Sequence, residues 1–245
     1  MLARLFWGVV SSAVGMILCV GAWGQQLPAT KCSTASVSGT YGAVLYGSTS
    51  SGDVLAYGGQ VTFNGKGSFS GSWTTNFDND ITTVLVTGSY KVASGCTGII
   101  TMNAQGSPTL DFNLVVDSSQ RLELIVTNAG LSVIGYALPQ GQATCTAAGL
   151  AGTWAWNSNG LTAGFIASVA LSAKGMISGL STIVVNGDVE SNLQTGGTFT
   201  IDSNCTGTIS FTLNGQQQPT ADFVVVNGGK QILVTDALGL ITALR

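Results

Sequence analysis

The chain has no histidine. The side chain that most often shuttles protons at neutral pH is therefore missing, and every Ser-His-Asp or Cys-His nucleophile pair with it. Chemistry would have to rest on carboxylates, aromatics or cysteines. Asp111 and Asp222 each stand before a phenylalanine expected to point inward, at matching places in the two halves of the chain. A carboxylate in a strained setting can serve catalysis, but a solvated aspartate or a turn partner is the plainer use. Two further acidic pairs, Asp78 with Asp80 and Asp188 with Glu190, read as loops between a third and a fourth strand. Such pairs are a partial oxygen ligand set for Ca²⁺; neither shows the full Asp-x-Asp-x-Asp-Gly spacing, and solvated acidic loops compete. No cofactor is expected. The aromatics Tyr41, Phe63, Trp73, Trp154, Trp156 and Phe165 are the candidate ligand-binding set. They would line any cavity left inside the fold and favour a small apolar molecule, whereas a solid interior would use them as core.

These side chains are positioned by a sequence that is written twice. Ser94-Gly95-Cys96-Thr97-Gly98 returns as Ser203-Asn204-Cys205-Thr206-Gly207, and Gly39-Thr40-Tyr41 as Gly152-Thr153-Trp154. Asp111-Phe112 matches Asp222-Phe223, and Val126-Thr127-Asn128 matches Val234-Thr235-Asp236. A duplication at a spacing of about 110 residues is the direct reading. It divides the chain into module one, 32–138, a linker 139–144, and module two, 145–245, with a short linker 25–31 ahead.

Residues 1–24 read as a signal peptide: Arg4, an apolar run from Leu5 to Val20, then Ala22-Trp23-Gly24 with small residues at the cleavage positions. A retained anchor and a lipidated Cys19 are the competing readings; the run is short for a bilayer, and Met16-Ile17-Leu18 lacks the small residue that lipidation favours. Removal of the leader leaves Cys32, Cys96, Cys145 and Cys205, an even set suited to two disulfides in an oxidising compartment. Of the three pairings, the repeat favours Cys32–Cys96 and Cys145–Cys205. Free buried thiols are the alternative; zinc has neither histidines nor closely spaced cysteines to use. The expected location is secreted or periplasmic, with no membrane contact after cleavage.

Only 8% of residues are charged, 45% are hydrophobic and 34 are glycine. That balance argues for a folded β protein over a helical or disordered one. With a net charge of −3 and no basic run, nucleic acid is not an expected partner. Period-two alternation and turn signals give eight strands per module, near 39–47, 55–64, 67–75, 82–92, 96–103, 109–117, 120–127 and 130–137 in the first. In the second they fall near 152–158, 163–172, 175–185, 195–202, 205–213, 219–227, 230–235 and 239–244. The fold class is all-β: two tandem eight-stranded antiparallel, up-and-down β-barrels, with a two-sheet sandwich as alternative. Each disulfide would tie an entering segment under the floor. Longer links between strands 1–2, 3–4 and 5–6 would form an open mouth at the other end.

Asn64-Gly65-Lys66-Gly67-Ser68-Phe69-Ser70-Gly71 and Gly88-Ser89-Tyr90-Lys91-Val92, leading to Cys96-Thr97-Gly98, resemble secreted bacterial tandem β-barrel proteins of the allene oxide cyclase-like and calycin-like class. Leu150-Ala151-Gly152-Thr153-Trp154 is similar to the opening of avidin-type barrels, whose later Trp-rich strands have no counterpart here. The resemblance implies a barrel and brings no catalytic residues. The functional expectation is a non-catalytic exported protein binding a small apolar ligand or a surface partner. A cyclase- or isomerase-like enzyme with an apolar pocket, and a purely structural surface module, are the alternatives. N-terminal sequencing of the exported protein is expected to start at Gln25; a chain beginning at Met1 would contradict cleavage.

Overall fold

A computed structural model describes residues 31–77, 80–159, 163–236 and 239–245. The segment 1–24 expected to be a signal peptide, most of the 25–31 linker and Asp78 lie outside them. The first barrel is built from β1 (Ser38–Thr49), β2 (Val54–Asn64), β3 (Ser68–Phe77), β4 (Asp80–Val92), β5 (Thr97–Ala104), β6 (Leu110–Val116), β7 (Leu122–Val126) and β8 (Leu131–Pro139). Each strand pairs antiparallel with the next, and β8 closes on β1. A short helix, α1 (Ala147–Leu150), leads into the second barrel. It runs β9 (Gly152–Asn159), β10 (Ala163–Leu171), β11 (Met176–Val185), β12 (Asp188–Ile201), β13 (Thr206–Leu213), the two-residue β14 (Gln216–Gln217), β15 (Ala221–Val226), β16 (Gln231–Asp236) and β17 (Gly239–Leu244). Pairing of β12 with β13 and of β17 with β9 closes it, β14 lying outside the ring. Both are up-and-down barrels in which every strand of the ring is paired on both sides.

Alternation inside each barrel follows the pleat. In β6, Phe112, Leu114 and Val116 are buried while Asp111, Asn113 and Val115 are exposed. Each floor is closed by the segment ahead of its first strand. Cys32 is bonded to Cys96 and Cys145 to Cys205, with Cα atoms 4.9 Å apart in both. Between bridge and barrel, a 3₁₀ turn at Thr34–Ser36 carries Val37 into the first core, and α1 carries Leu150 into the second. The Tyr90 hydroxyl donates to the Val37 carbonyl at 2.6 Å; the Trp154 indole N–H donates to the Leu150 carbonyl at 2.9 Å. The bridges close spans of 64 and 60 residues, and on the chain-entropy account each stabilises by about 4 kcal/mol.

The repeated cysteine stretch has a backbone reason. Cys96 and Cys205 sit at φ of 61° and 70°, in a turn position usually held by glycine. A side chain is needed there for the bridge, so the strain is retained in both copies. Two residues on, a Cβ on Gly98 or Gly207 would stand 2.2 or 2.0 Å from a carbonyl oxygen of the neighbouring strand. Glycine is therefore required at both places.

The links differ from expectation: the β1–β2 link, 50–53, is no longer than the β4–β5 link, 93–96, and the larger departure is between the third and fourth strands. Strands 3–4 are not joined by long loops: β3 and β4 stay paired to Phe77 and Asp80, and β11 and β12 turn at Asn186-Gly187. Asn186 at φ 52° and Gly187 at φ 93° make a two-residue hairpin of Asn-Gly chemistry. Asp188 and Glu190 thus lie in β12, not in a loop, and the strand starts seven residues before the expected 195.

The barrels pack side by side, outer face to outer face. Val44 and Leu138 of the first meet Val224, Val226 and Leu233 of the second, with Tyr136 at the border. This contact removes the usual alternation from β15, where Phe223 to Val226 are all buried. The sheets approach closely because Gly42 and Gly58 lack side chains. A Cβ on Gly42 would meet methyls of Val226 and Val224 at 2.5 to 2.9 Å, and one on Gly58 would meet the Thr235 hydroxyl. Polar contacts rim the join: Thr74 Oγ1 donates to Asp222 Oδ2 at 2.7 Å, Gln60 and Gln140 donate to the Asn204 carbonyl, and the Tyr136 and Thr242 hydroxyls bond at 3.0 Å. Among the described residues no helix is long and apolar enough to cross a membrane. Gly42→Val is expected to destabilise by about 1–3 kcal/mol through overpacking. Its counterpart Ala155 is exposed, so Ala155→Val should stay within about 0.5 kcal/mol in the same chemical-denaturation measurement.

Candidate functional site

The interiors of the two barrels differ, and one substitution between the repeats explains much of it. The pairing of β2 and β3 sets Trp73 opposite Gly59; the equivalent pairing of β10 and β11 sets Ser181 opposite Ala167. Barrel one thus places an indole where barrel two places a hydroxymethyl group. In barrel one, Tyr41, Phe63 and Trp73 are buried in a continuous core with Phe69, Tyr90 and Phe112. Phe63 packs edge-on against Tyr41 at 5.4 Å and against Tyr90 at 4.9 Å. Beside Phe63 and Trp73 a void of about 20 Å³ remains, with a wholly apolar lining that includes Ile100, Met102 and Leu124. That is the room of one water. The Tyr41 hydroxyl and the Trp73 indole N–H are buried without a hydrogen-bond partner among the described residues, and burial, with Tyr90 adding, raises the Tyr41 phenol above its ordinary pKa. Both groups stay neutral there.

Barrel two has an opening. At the end away from the disulfide lies a pocket of about 440 Å³, within the usual range for small-molecule sites. Phe165, Ile183, Leu193 and Leu213 make an apolar floor, and Ser158, Glu190, Asn214, Gln216 and Gln218 line the rest. Of the sequence-selected aromatics, Phe165 is brought to this pocket; Trp154 and Trp156 lie in the barrel-two core. Deeper in, Thr195 Oγ1 donates to Ser181 Oγ at 3.0 Å, and both residues are buried. The Trp156 indole N–H is buried with no partner among the described residues.

Glu190 reaches the pocket because the strand is bulged. Ser181 pairs with Leu193 but Ile183 pairs with Glu190, so two residues of β12, Ser191 and Asn192, face one of β11. Asn192 takes the left-handed conformation, φ 59°, that such a bulge needs. The extra residue shifts the alternation by one and turns Glu190 to the face that carries Ile183. The sequence places Glu190 in an acidic loop, solvated or a partial calcium ligand set, and does not reveal this role. The Asn186-Gly187 turn was the available signal, because it fixes where β12 begins.

Of the other acidic candidates, those among the described residues are not part of the pocket lining. Asp80 opens β4 on the other barrel, and no group of three Asp, Glu, His or Cys residues able to hold a metal occurs among the described residues. Asp111 is exposed on the outer face of β6, where Thr101 Oγ1 donates to it at 2.7 Å. Asp222 also points outward, into the join between barrels. The two are not equivalent. The amides of Val116 and Val225 both donate to the cysteine carbonyl of the preceding turn, which aligns Asp222 with Asn113 and puts the Asp-Phe match two residues out of register. Neither aspartate lies inside a barrel.

No protein-family model matches this chain, and no curated protein matches it in sequence. Among solved structures, kievitone hydratase from Nectria haematococca is similar at 11% identity, over 85% of this chain and 89% of that one, with a TM-score of 0.33. A likeness that loose carries nothing over about activity. Two intact disulfides are those of a protein from an oxidising environment, extracellular or periplasmic.

Proposed function

We propose that the protein is an exported, non-catalytic binding module in which barrel one is a filled anchor and barrel two receives a small apolar ligand. The observation that carries this reading is the contrast between a void of about 20 Å³ and a pocket of about 440 Å³ in two copies of one fold. The floor of Phe165, Ile183, Leu193 and Leu213 suits an alkyl or aromatic body, and the amide and carboxylate groups around it suit a polar end left near water. Burial of the apolar part supplies affinity at ~25 cal/mol per Å² removed from water, less the cost of ordering the ligand.

One observation favours a cyclase- or isomerase-like second reading: a carboxylate, Glu190, faces an apolar pocket. Acid–base work there would fall to that residue, since Asp111 and Asp222 are outside the barrels. Glu190→Gln separates the two readings, because it removes a proton carrier while keeping shape and hydrogen bonding.

The direct test is fluorescence titration of the folded protein with 1-anilinonaphthalene-8-sulfonate, near-UV circular dichroism confirming native packing. One saturable site is expected. Ile183→Trp, which fills the pocket, should weaken it at least tenfold. Unchanged binding in that variant would remove the barrel-two pocket as the site.

A further inference from the structure

The join between the barrels encloses a second concave site. The outer face of β13 diverges from barrel one and leaves a cleft of about 260 Å³, flanked by Gln60, Thr74 and Thr83 of barrel one and by Asp202, Asp222 and Thr235 of barrel two. Three observations make it more than a gap between domains. Asp222 is half-buried; its Oδ2 accepts from Thr74 at 2.7 Å and from Thr83 at 3.3 Å, and its Oδ1 accepts nothing from the described residues. Thr235 is 5% exposed and lines the cleft, yet its hydroxyl makes no hydrogen bond among the described residues. That hydroxyl lines the cleft and is free to bond an occupant. Finally, the lining holds two carboxylates and no lysine or arginine.

We propose that this cleft binds a small polyhydroxylated primary amine, the chemistry of an amino sugar. The charge of the lining selects a cation, and an ammonium group supplies three donors to the free oxygen of Asp222 and to Asp202. The ring of hydroxyl and amide side chains can both donate to and accept from ligand hydroxyls. Gly58 and Gly59 leave bare backbone on the barrel-one side, and Val224 and Leu233 give a small apolar floor. The volume lies below the ~300–1,000 Å³ of drug-sized sites, so the occupant is one ring and not a chain. Neither barrel alone holds this site, which gives the tandem arrangement a use beyond linkage.

The test is calorimetric or NMR titration of the full mature chain with glucosamine, glucose and Ca²⁺ in parallel. Glucosamine is expected to bind at least tenfold more tightly than glucose. Asp222→Asn keeps an acceptor for Thr74 and Thr83 while removing the charge, and should lower glucosamine affinity to the level of glucose. Thr235→Val should weaken both sugars. Asp202→Asn, at an exposed position, keeps the experiment informative if the Asp222 variant folds poorly, and should itself cost several-fold for glucosamine alone. Equal affinity for the two sugars, no binding of either, or saturation by Ca²⁺ with loss of glucosamine would each overturn the proposal. Dye binding at the barrel-two mouth should persist in all three variants, so failure here is distinguishable from failure of the apolar-ligand reading.

Discussion

The close approach of two barrel faces at Gly42 and Gly58 is the constraint on which the rest of the molecule depends. Val224, Val226 and Leu233 are outward-facing residues that would be exposed on a lone barrel; packed against Val44 and Leu138 they are buried. The contact decides which faces are covered, shapes the cleft where β13 turns away, and leaves the mouth of barrel two free. The faces not used in the join carry different residues at the equivalent places. Glu123 stands where Leu233 packs, Asp117 where Val226 packs, and Ile166 where Gly58 makes room. A charged residue in place of an apolar anchor, and a branched side chain in place of a hole, prevent the same join from being repeated at either outer face in the same geometry.

Duplication has therefore produced two barrels with one backbone plan and separate roles. Barrel one spends its aromatics on filling: Tyr41, Phe63, Phe69, Trp73 and Tyr90 leave no ligand-sized space. Barrel two gives up an indole for Ser181, gains a bulge at Asn192, and so acquires both room and a carboxylate at its mouth. Its floor is still sealed by the disulfide and by Leu150. A rigid closed end and a shaped open end are what a small-ligand barrel needs, because a preformed site avoids the cost of ordering on binding.

Much of the architecture was legible in the sequence because each element obeyed a local rule. Alternation located nearly every strand, glycine-rich turns located the hairpins, and the duplicated cysteines gave the pairing. What was not legible depended on contacts between elements. The start of β12 was misplaced because polar Asp188 to Asn192 read as loop, although Asn186-Gly187 is strong hairpin chemistry. The Asp-Phe match suggested equivalence between Asp111 and Asp222, but register is set by hydrogen bonding and differs by two residues. The barrel-to-barrel face appeared in the sequence only as Val224-Val225-Val226, a run that breaks alternation. Its meaning required knowing what lay opposite. Core and cavity could not be told apart from the aromatic list, since the difference lies in Trp73 against Ser181, residues on matched positions of different barrels.

Methyl-resolved NMR of the folded protein during titration with a short-chain alkyl carboxylate addresses the division of labour most directly. The account predicts saturable shifts at Ile183, Leu193 and Leu213 and none at Ile100, Leu122 or Leu124. Shifts concentrated in barrel one, or spread evenly over both interiors, would contradict it.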